Sequence, residues 1–234
     1  MSHIKTKKRG SLIIISGTSC AGKGTIIKEL LKRNSNLYLS ISYTSRKMRP
    51  GEVNGKDYYF ISPEEFEEKI EKGDFLEYAK VHSSSYYGTP KKEIEEVLAS
   101  GRDVILEIDV QGAQQVKELL PETILIFVLA PSLQEVKRRI KARGSETKEQ
   151  IIQRFQTIYQ EINEIPKYNY VVINDVLEDA VQKIEAIFLS EKCRVDRIEE
   201  IALENKEEMM HELLMDKEFD NSSTSLLELE KDTN

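Results

Sequence analysis

The sequence predicts an α/β fold, with a five-stranded, mostly parallel sheet flanked by helices. Short runs rich in branched apolar residues recur at 11–16, 37–41, 104–109, 124–129 and 170–174. Segments with helical spacing, at 23–34, 113–120, 132–143, 147–163 and 177–190, separate most of them. Strands that alternate with helices pair in parallel through crossovers, and continuous apolar runs suit strands covered on both faces.

The first run, Ser11-Leu-Ile-Ile-Ile-Ser16, leads directly into Gly17-Thr18-Ser19-Cys20-Ala21-Gly22-Lys23-Gly24-Thr25. Ile26, Ile27, Leu30 and Leu31 then follow at helical spacing. A strand, a glycine-bracketed turn and a helix start together form a cradle for phosphate. Backbone N–H groups converge, the helix dipole favours an anion, and Lys23 adds a full charge. An ordinary strand-to-helix turn is the alternative, and the flanking strand and helix favour the cradle. The strict pattern has serine or threonine straight after the lysine; here Gly24 stands there, with Thr25 one place later.

Residues 42–95 read as an insertion of different texture, a small mixed α+β unit set into the core. It holds Tyr58-Tyr-Phe-Ile61, then a helix start at Ser62-Pro63-Glu64-Glu65, then Phe75-Leu-Glu-Tyr-Ala-Lys-Val81. A capping residue followed by proline at the first helical position marks that start. Within the insertion, Arg46 and Arg49 lie three apart beside Pro50, Gly51 and Gly55. A planar guanidinium fork suits two phosphate oxygens, and Tyr58 offers a neutral donor. Taken alone, this segment fits a solvated basic loop equally well. Beside a phosphate cradle, it supplies the second phosphate site that a phosphoryl transferase needs.

Charge and composition exclude several classes. Of the 234 residues, 39% are apolar, and no run approaches the ~20 residues of a membrane span. The basic start (Lys5, Lys7, Lys8, Arg9) lacks the apolar region of a secretory signal. Cys20 and Cys193 fit no metal spacing. A cytoplasmic protein is expected, acting on small molecules, with no nucleic acid, membrane or obligate protein partner. Residues 191–234 hold 14 acidic and 6 basic side chains, leaving 1–190 near neutral. That tail is expected to be a charged helix with Ile198, Ile201, Leu203, Met209, Met210, Leu213 and Leu214, fraying into a polar, disordered end.

Over residues 10–190, the chain resembles guanylate kinase, a nucleoside monophosphate kinase with a P-loop NTPase core. Ser42, Arg46, Arg49 and Tyr58 resemble the family's GMP-phosphate segment. Phe75-Leu-Glu77-Tyr-Ala resembles the stretch whose glutamate reads guanine, and Tyr87 and Thr89 the turn that follows. Leu106-Glu107-Ile-Asp109-Val-Gln-Gly112 resembles the strand end facing both substrates. Arg139, Arg143 and Arg154 resemble the arginines of a helical lid, and Val172-Ile-Asn174-Asp175 the turn near adenine.

The resemblance implies a core (10–41, 96–130, 166–190), a GMP-binding insert (42–95) and a lid (131–165), ahead of the tail. Phosphoryl transfer from ATP to GMP is the implied reaction, within purine nucleotide metabolism. Residues 17–25, Arg139, Arg143 and Asn174 would hold ATP. Ser42, Arg46, Arg49, Tyr58, Glu77, Tyr87, Thr89, Glu107, Asp109 and Arg154 would serve the GMP side. Lys23, Arg46, Arg139, Arg143 and Arg154 would act on the moving group, and Asp109 would hold Mg²⁺ through water. Guanine carries donors at N1 and its 2-amino group, so one carboxylate accepts from both, and adenine offers no such pair. The acceptor phosphate is already an anion, so the lack of a candidate catalytic histidine is no objection. Glu107 stands where the family generally has aspartate, and Cys20 where glycine is frequent.

Two rival classes bear on the same motifs. Asp109-Val-Gln-Gly112 fits a GTPase switch pattern, but the nearest guanine-reading match, Asn205-Lys-Glu-Glu208, lies in the acidic tail and ends in glutamate. A guanylate kinase-like binding module without turnover would be expected to lose cradle or lid residues. Lys23 and the arginines are kept, which favours an enzyme.

Overall fold

The computed structural model describes residues 5–81, 85–143, 148–202, 211 and 215. Two compact units emerge. One spans 9–197, and the other joins residues 1–8 with 198–234.

In the smaller unit, strand β1 (Lys5–Lys8) runs antiparallel to the last strand of the chain, Ile198–Ala202. Its register sets Lys7 against Glu200 and Thr6 against Ile201. Ile198 and Ile201 sit at helical spacing, yet the structure makes them part of a strand. The reason is a backbone partner nearly two hundred residues away, which no local window contains. Of the stretch beyond, only His211 and Met215 are described, both helical. Leu203, Met209, Met210, Leu213, Leu214 and the polar end lie outside the described residues.

The larger unit opens with β2 (Leu12–Gly17), buried throughout, then α1 (Lys23–Arg33) and β3 (Leu37–Leu39). Next comes a four-stranded sheet built from β4 (Tyr43–Thr44), β5 (Tyr59–Phe60), β6 (Phe75–Val81) and β7 (Ser85–Pro90), in the order β5-β4-β7-β6. Helix α2 (Pro63–Glu71) carries a full capping box, Ser62 Oγ accepting from Glu65 N at 3.1 Å and Glu65 Oε2 from Ser62 N at 2.8 Å. Phe66 on α2 stacks between Phe75 (4.4 Å) and Tyr86 (5.1 Å), giving the insertion its own aromatic core.

Helix α3 (Lys91–Ala99) follows without a break. Its Ile94 and Leu98 bury against Leu12, Ile14 and Val104, so residues 91–95 lie in a core helix and the small sheet ends at Pro90. Then come β8 (Asp103–Leu106), α4 (Val110–Leu119), β9 (Ile124–Leu129), α5 (Leu133–Arg143), α6 (Lys148–Asn163), β10 (Tyr170–Ile173), α7 (Leu177–Lys192) and finally β11, the Ile198–Ala202 strand of the smaller unit.

The main sheet has the order β10-β9-β2-β8-β3, every pair parallel. Alternate residues of β2 serve opposite layers. Ile13 and Ile15 meet α1 and α7 through Ile26, Leu30, Val181 and Ile184. Leu12 and Ile14 meet α3 and α4 through Ile94, Leu98, Ala113 and Val116. This two-sided burial is why the strands read as unbroken apolar runs. The chain moves from β2 to β3 on one side and from β8 to β9 on the other. The crevice beyond the ends of β2 and β8 is therefore where such a sheet takes its ligands.

At the opposite end, Asp103 is buried, accepts the Ser11 N–H at 2.9 Å and pairs with Lys192 Nζ at 2.6 Å. Asp103→Ala leaves that N–H unsatisfied and should cost about 2 kcal/mol, a drop of roughly 4–8 °C in Tm by calorimetry. Asp103→Asn, which keeps the acceptor, should lose less.

Candidate active site

The cradle forms because β2 ends tight against β9. Gly17 has φ +145°, and a Cβ there would stand 2.1 Å from the Val128 carbonyl oxygen. Thr18 N donates to that same oxygen at 3.3 Å. Gly22 (φ +92°) opens α1, which has no side-chain cap and no acidic residue in its first turn. The N–H groups of that turn therefore lack an internal anion. Lys23 folds back onto its own loop, Nζ donating to Gly17 O at 2.7 Å and Thr18 O at 3.2 Å. Burial pulls the Lys23 ammonium below its usual range, while Glu107, Glu161, Cys20 and Asp109 favour its charge.

Asn174 and Arg139 brace the loop from behind. Asn174 Nδ2 donates to Ala21 O at 2.7 Å. Arg139 Nη1 donates to Cys20 O and Ala21 O at 3.1 and 3.2 Å, and Nη2 to Asn174 O at 3.2 Å. Its Nε is held by Glu135 at 2.7 Å. Arg139 thus engages carbonyls of the cradle and borders a cavity of about 420 Å³ with Gly22, Thr25, Asn174 and Asp175. From α6, Arg154 Nη1 donates to Ser19 Oγ at 2.7 Å. Arg143 ends α5, and its side chain lies outside the described residues.

On the other side of the crevice, Arg46 rests near the rings of Tyr58 (5.4 Å) and Phe60 (5.6 Å). Its Nε donates to the Tyr87 hydroxyl at 3.1 Å. Arg49 is exposed and gives its backbone N–H to Glu52 at 2.7 Å. Glu77 on β6 is buried and accepts from Thr89 Oγ1 at 2.5 Å. Burial lifts its carboxyl to about 7, Thr89 opposes the shift and Asp109 adds to it. Gly112 lets α4 pass close by, since a Cβ there would stand 3.0 Å from Glu77 Oε2.

Asp109 caps α4, its Oδ1 accepting from Gly112 N at 2.9 Å, and also lines the crevice. Glu107 faces the cradle, where a Gly24 Cβ would stand 3.8 Å from both its oxygens. The crevice walls raise the Glu107 carboxyl, and Lys23 and Lys28 pull it down.

A cavity of about 390 Å³ is lined by Gly17, Ser19 and Lys23 of the cradle, Ser42 and Tyr58 of the insertion, and Glu107 and Asp109 beyond β8, while Arg46, Arg49, Glu77 and Thr89 are not among its lining residues. Three acidic residues without a role in the sequence analysis also line it, Glu52, Asp57 and Glu161. Glu161 leaves no local signal, because only the packing of α6 brings it to Lys23. Burial raises its carboxyl, against Lys23 and the Ser19 N–H. Glu52 sits in the two-arginine segment, and its spacing from Arg46 is the one clue the sequence holds.

A family model described as guanylate kinase matches residues 9–191. The chain belongs to the guanylate kinase family. It is 54% identical over 216 residues to the guanylate kinase of Clostridium perfringens, covering 92% of this chain and all of that one. The guanylate kinase of Clostridium tetani is 56% identical over 209 residues, covering 89% of this chain and all of its own. Among solved structures, guanylate kinase from Anaplasma phagocytophilum superposes with a TM-score of 0.70 at 29% identity, covering 92% of this chain and 98% of that one.

Within this guanylate kinase fold, the approach of Gly17 to Val128 is the geometry that admits no side chain. Gly17→Ala should lose more than the roughly 1–2 kcal/mol of left-handed strain alone, because a backbone atom must also move. Titration with ATP should then show no saturable binding, whereas retained binding would refute this account of the loop.

Proposed function

We propose that the chain transfers the γ-phosphoryl group of ATP to GMP, giving ADP and GDP. The observation that carries this is the single cavity lined by the cradle lysine, the acceptor segment and the end of β8. Phosphoryl transfer asks a protein chiefly to position two phosphates in line and to neutralise charge on the moving group.

In this reading, residues 17–25 bind the ATP phosphates, with Lys23 turning from its own loop carbonyls to the β- and γ-oxygens. Asn174, Asp175 and Arg139 border the adenine side. Ser42, Arg46, Arg49 and Tyr58 receive the GMP phosphate, Tyr87 holds Arg46, and Glu77 with Thr89 reads guanine. Arg154, and Arg143 as the family resemblance implies, would serve to exclude water, whose attack would waste ATP. An oxygen of the GMP phosphate bonds to the γ-phosphorus as the bond to the β-bridging oxygen breaks, and ADP leaves with the electron pair. That nucleophile is already ionised, so no general base takes a proton.

Hard oxygen donors suit Mg²⁺, which draws most of its ligands from phosphate and water. The crevice offers the Asp109 and Glu107 carboxylates, and no cluster of three side-chain ligands is found among the described residues. The donor set therefore fits an ion held on the nucleotide, with Asp109 reaching it through water. When bound, Mg²⁺ neutralises phosphate charge. Among the described residues, no helix is long and apolar enough to cross a membrane. The proposal places the reaction in the cytoplasm, with small-molecule substrates only.

Offering GMP, AMP, UMP and CMP with ATP and Mg²⁺ should yield ADP with GMP alone. Turnover of another base, or of none, would end the proposal. Free Glu77 titrates near 7, and guanine needs its charged form, so binding releases a proton as pH falls below that value. KM for GMP should therefore rise about tenfold for each pH unit below 7 and level off above it. Glu77→Gln should raise that KM at least ~tenfold, shift the ATP constant far less, and abolish this pH dependence.

A further inference from the structure

The acceptor arginine is gripped by the chain's own groups. Arg46 Nη1 and Nη2 donate to Glu52 Oε2 and Oε1 at 2.9 and 2.8 Å. Nη1 also donates to Lys47 O at 2.8 Å, and Nε to the Tyr87 hydroxyl. Of the five N–H donors of a guanidinium, only one on Nη2 is left. A phosphate that takes the fork bidentately must therefore take it from Glu52.

Several features make this more than a surface pair. The Arg46 and Glu52 side chains are 14% and 19% exposed, so solvent screens them little. Glu52 accepts the Arg49 N–H as well, and these contacts hold its carboxyl down to about 2, led by Arg46. The carboxylate is therefore ionised throughout the working pH range. It lines the same cavity as Lys23 and Tyr58. Its neighbour Gly51 lies at φ +88° with open space around it, a backbone joint from which Glu52 can swing towards solvent.

We infer that Glu52 is a resident anion that fills the arginine fork and that an incoming phosphate has to displace, so that only a ligand with further contacts occupies the site at low concentration. The inference rests on the acceptor-site reading above and adds to it a competition that the substrate has to win. One bidentate pair is exchanged for another. A nucleotide phosphate, largely dianionic above its second pKa near ~6, makes the stronger pair and is tethered to a base that Glu77 holds. Inorganic phosphate has the charge without the tether, so the exchange gains it little. The site thereby rejects loose phosphate that an open arginine pair would collect.

The test is isothermal titration of the full chain with inorganic phosphate and, separately, with GMP. Glu52→Gln keeps the shape and removes the competing charge, and should bind inorganic phosphate roughly tenfold tighter, equivalent to about 1.4 kcal/mol. GMP, which displaces the same carboxylate, should tighten by a similar factor. Glu52→Asp, which keeps the charge but not the bidentate reach, should fall between. Should the glutamine variant not fold, the aspartate variant decides the question alone. Phosphate affinity that is unchanged or weaker would show that Glu52 merely holds Arg46 in place, and would overturn the inference. Wild-type turnover of GMP is assayed separately, so a protein that phosphorylates GMP without this gain loses only the present inference.

Discussion

A crevice shaped for two phosphate chains must gather positive charge, and that charge needs partners when no substrate is present. The chain supplies such partners from its own oxygens. Lys23 turns back on the Gly17 and Thr18 carbonyls, Arg46 takes Glu52, Arg154 takes Ser19, and Arg139 takes the carbonyls of Cys20 and Ala21. In the proposed reading, each contact keeps a cation near the place where a phosphate would arrive. In that reading, substrate phosphates exchange for these oxygens on binding, so the cations are in place before phosphoryl transfer begins.

Much of this was legible in the chain, and what was not has a physical reason. Strands β2 and β9 show as apolar runs because helices cover both their faces, so no polar alternation dilutes the signal. The cradle shows because its glycines answer to backbone geometry: the Val128 carbonyl excludes a side chain at Gly17, and Gly22 adopts a positive φ. Strands β4 and β5 are two residues long and hold their place through the Tyr43–Tyr59 stack and a third strand, so no periodicity exists to find. Helix α3 carries a short apolar stripe directly after Pro90, and only packing against Leu12 and Ile14 assigns it to the core. The pairing of β1 with β11 is wholly non-local.

The site divides along the same line. Residue types announce what a side chain offers, so lysine, arginine and glutamate at family spacing pointed to the crevice. They do not announce partners. The resemblance sets Arg139 among the ATP ligands, and the structure has it brace two cradle carbonyls and the Asn174 carbonyl. Glu161 reaches the crevice only because Ile158, one turn earlier on α6, is buried in the lid and turns that face inward.

Cys20 ties these strands of argument together. It is the one non-glycine at positive φ among the described residues, at +63°, where a side chain costs about 1–2 kcal/mol. Glycine would avoid that strain. The side chain, however, packs against the small cluster of Val136, Ile140 and Ile158 that joins α5 to α6. A buried methylene and sulfur return energy of the same order as the strain. They also couple the cradle to helices α5 and α6, which carry Arg139 and Arg154. A glycine at this place would relax the loop and sever that apolar link. The cysteine therefore makes lid packing and cradle shape one structural problem, in which neither adjusts without the other.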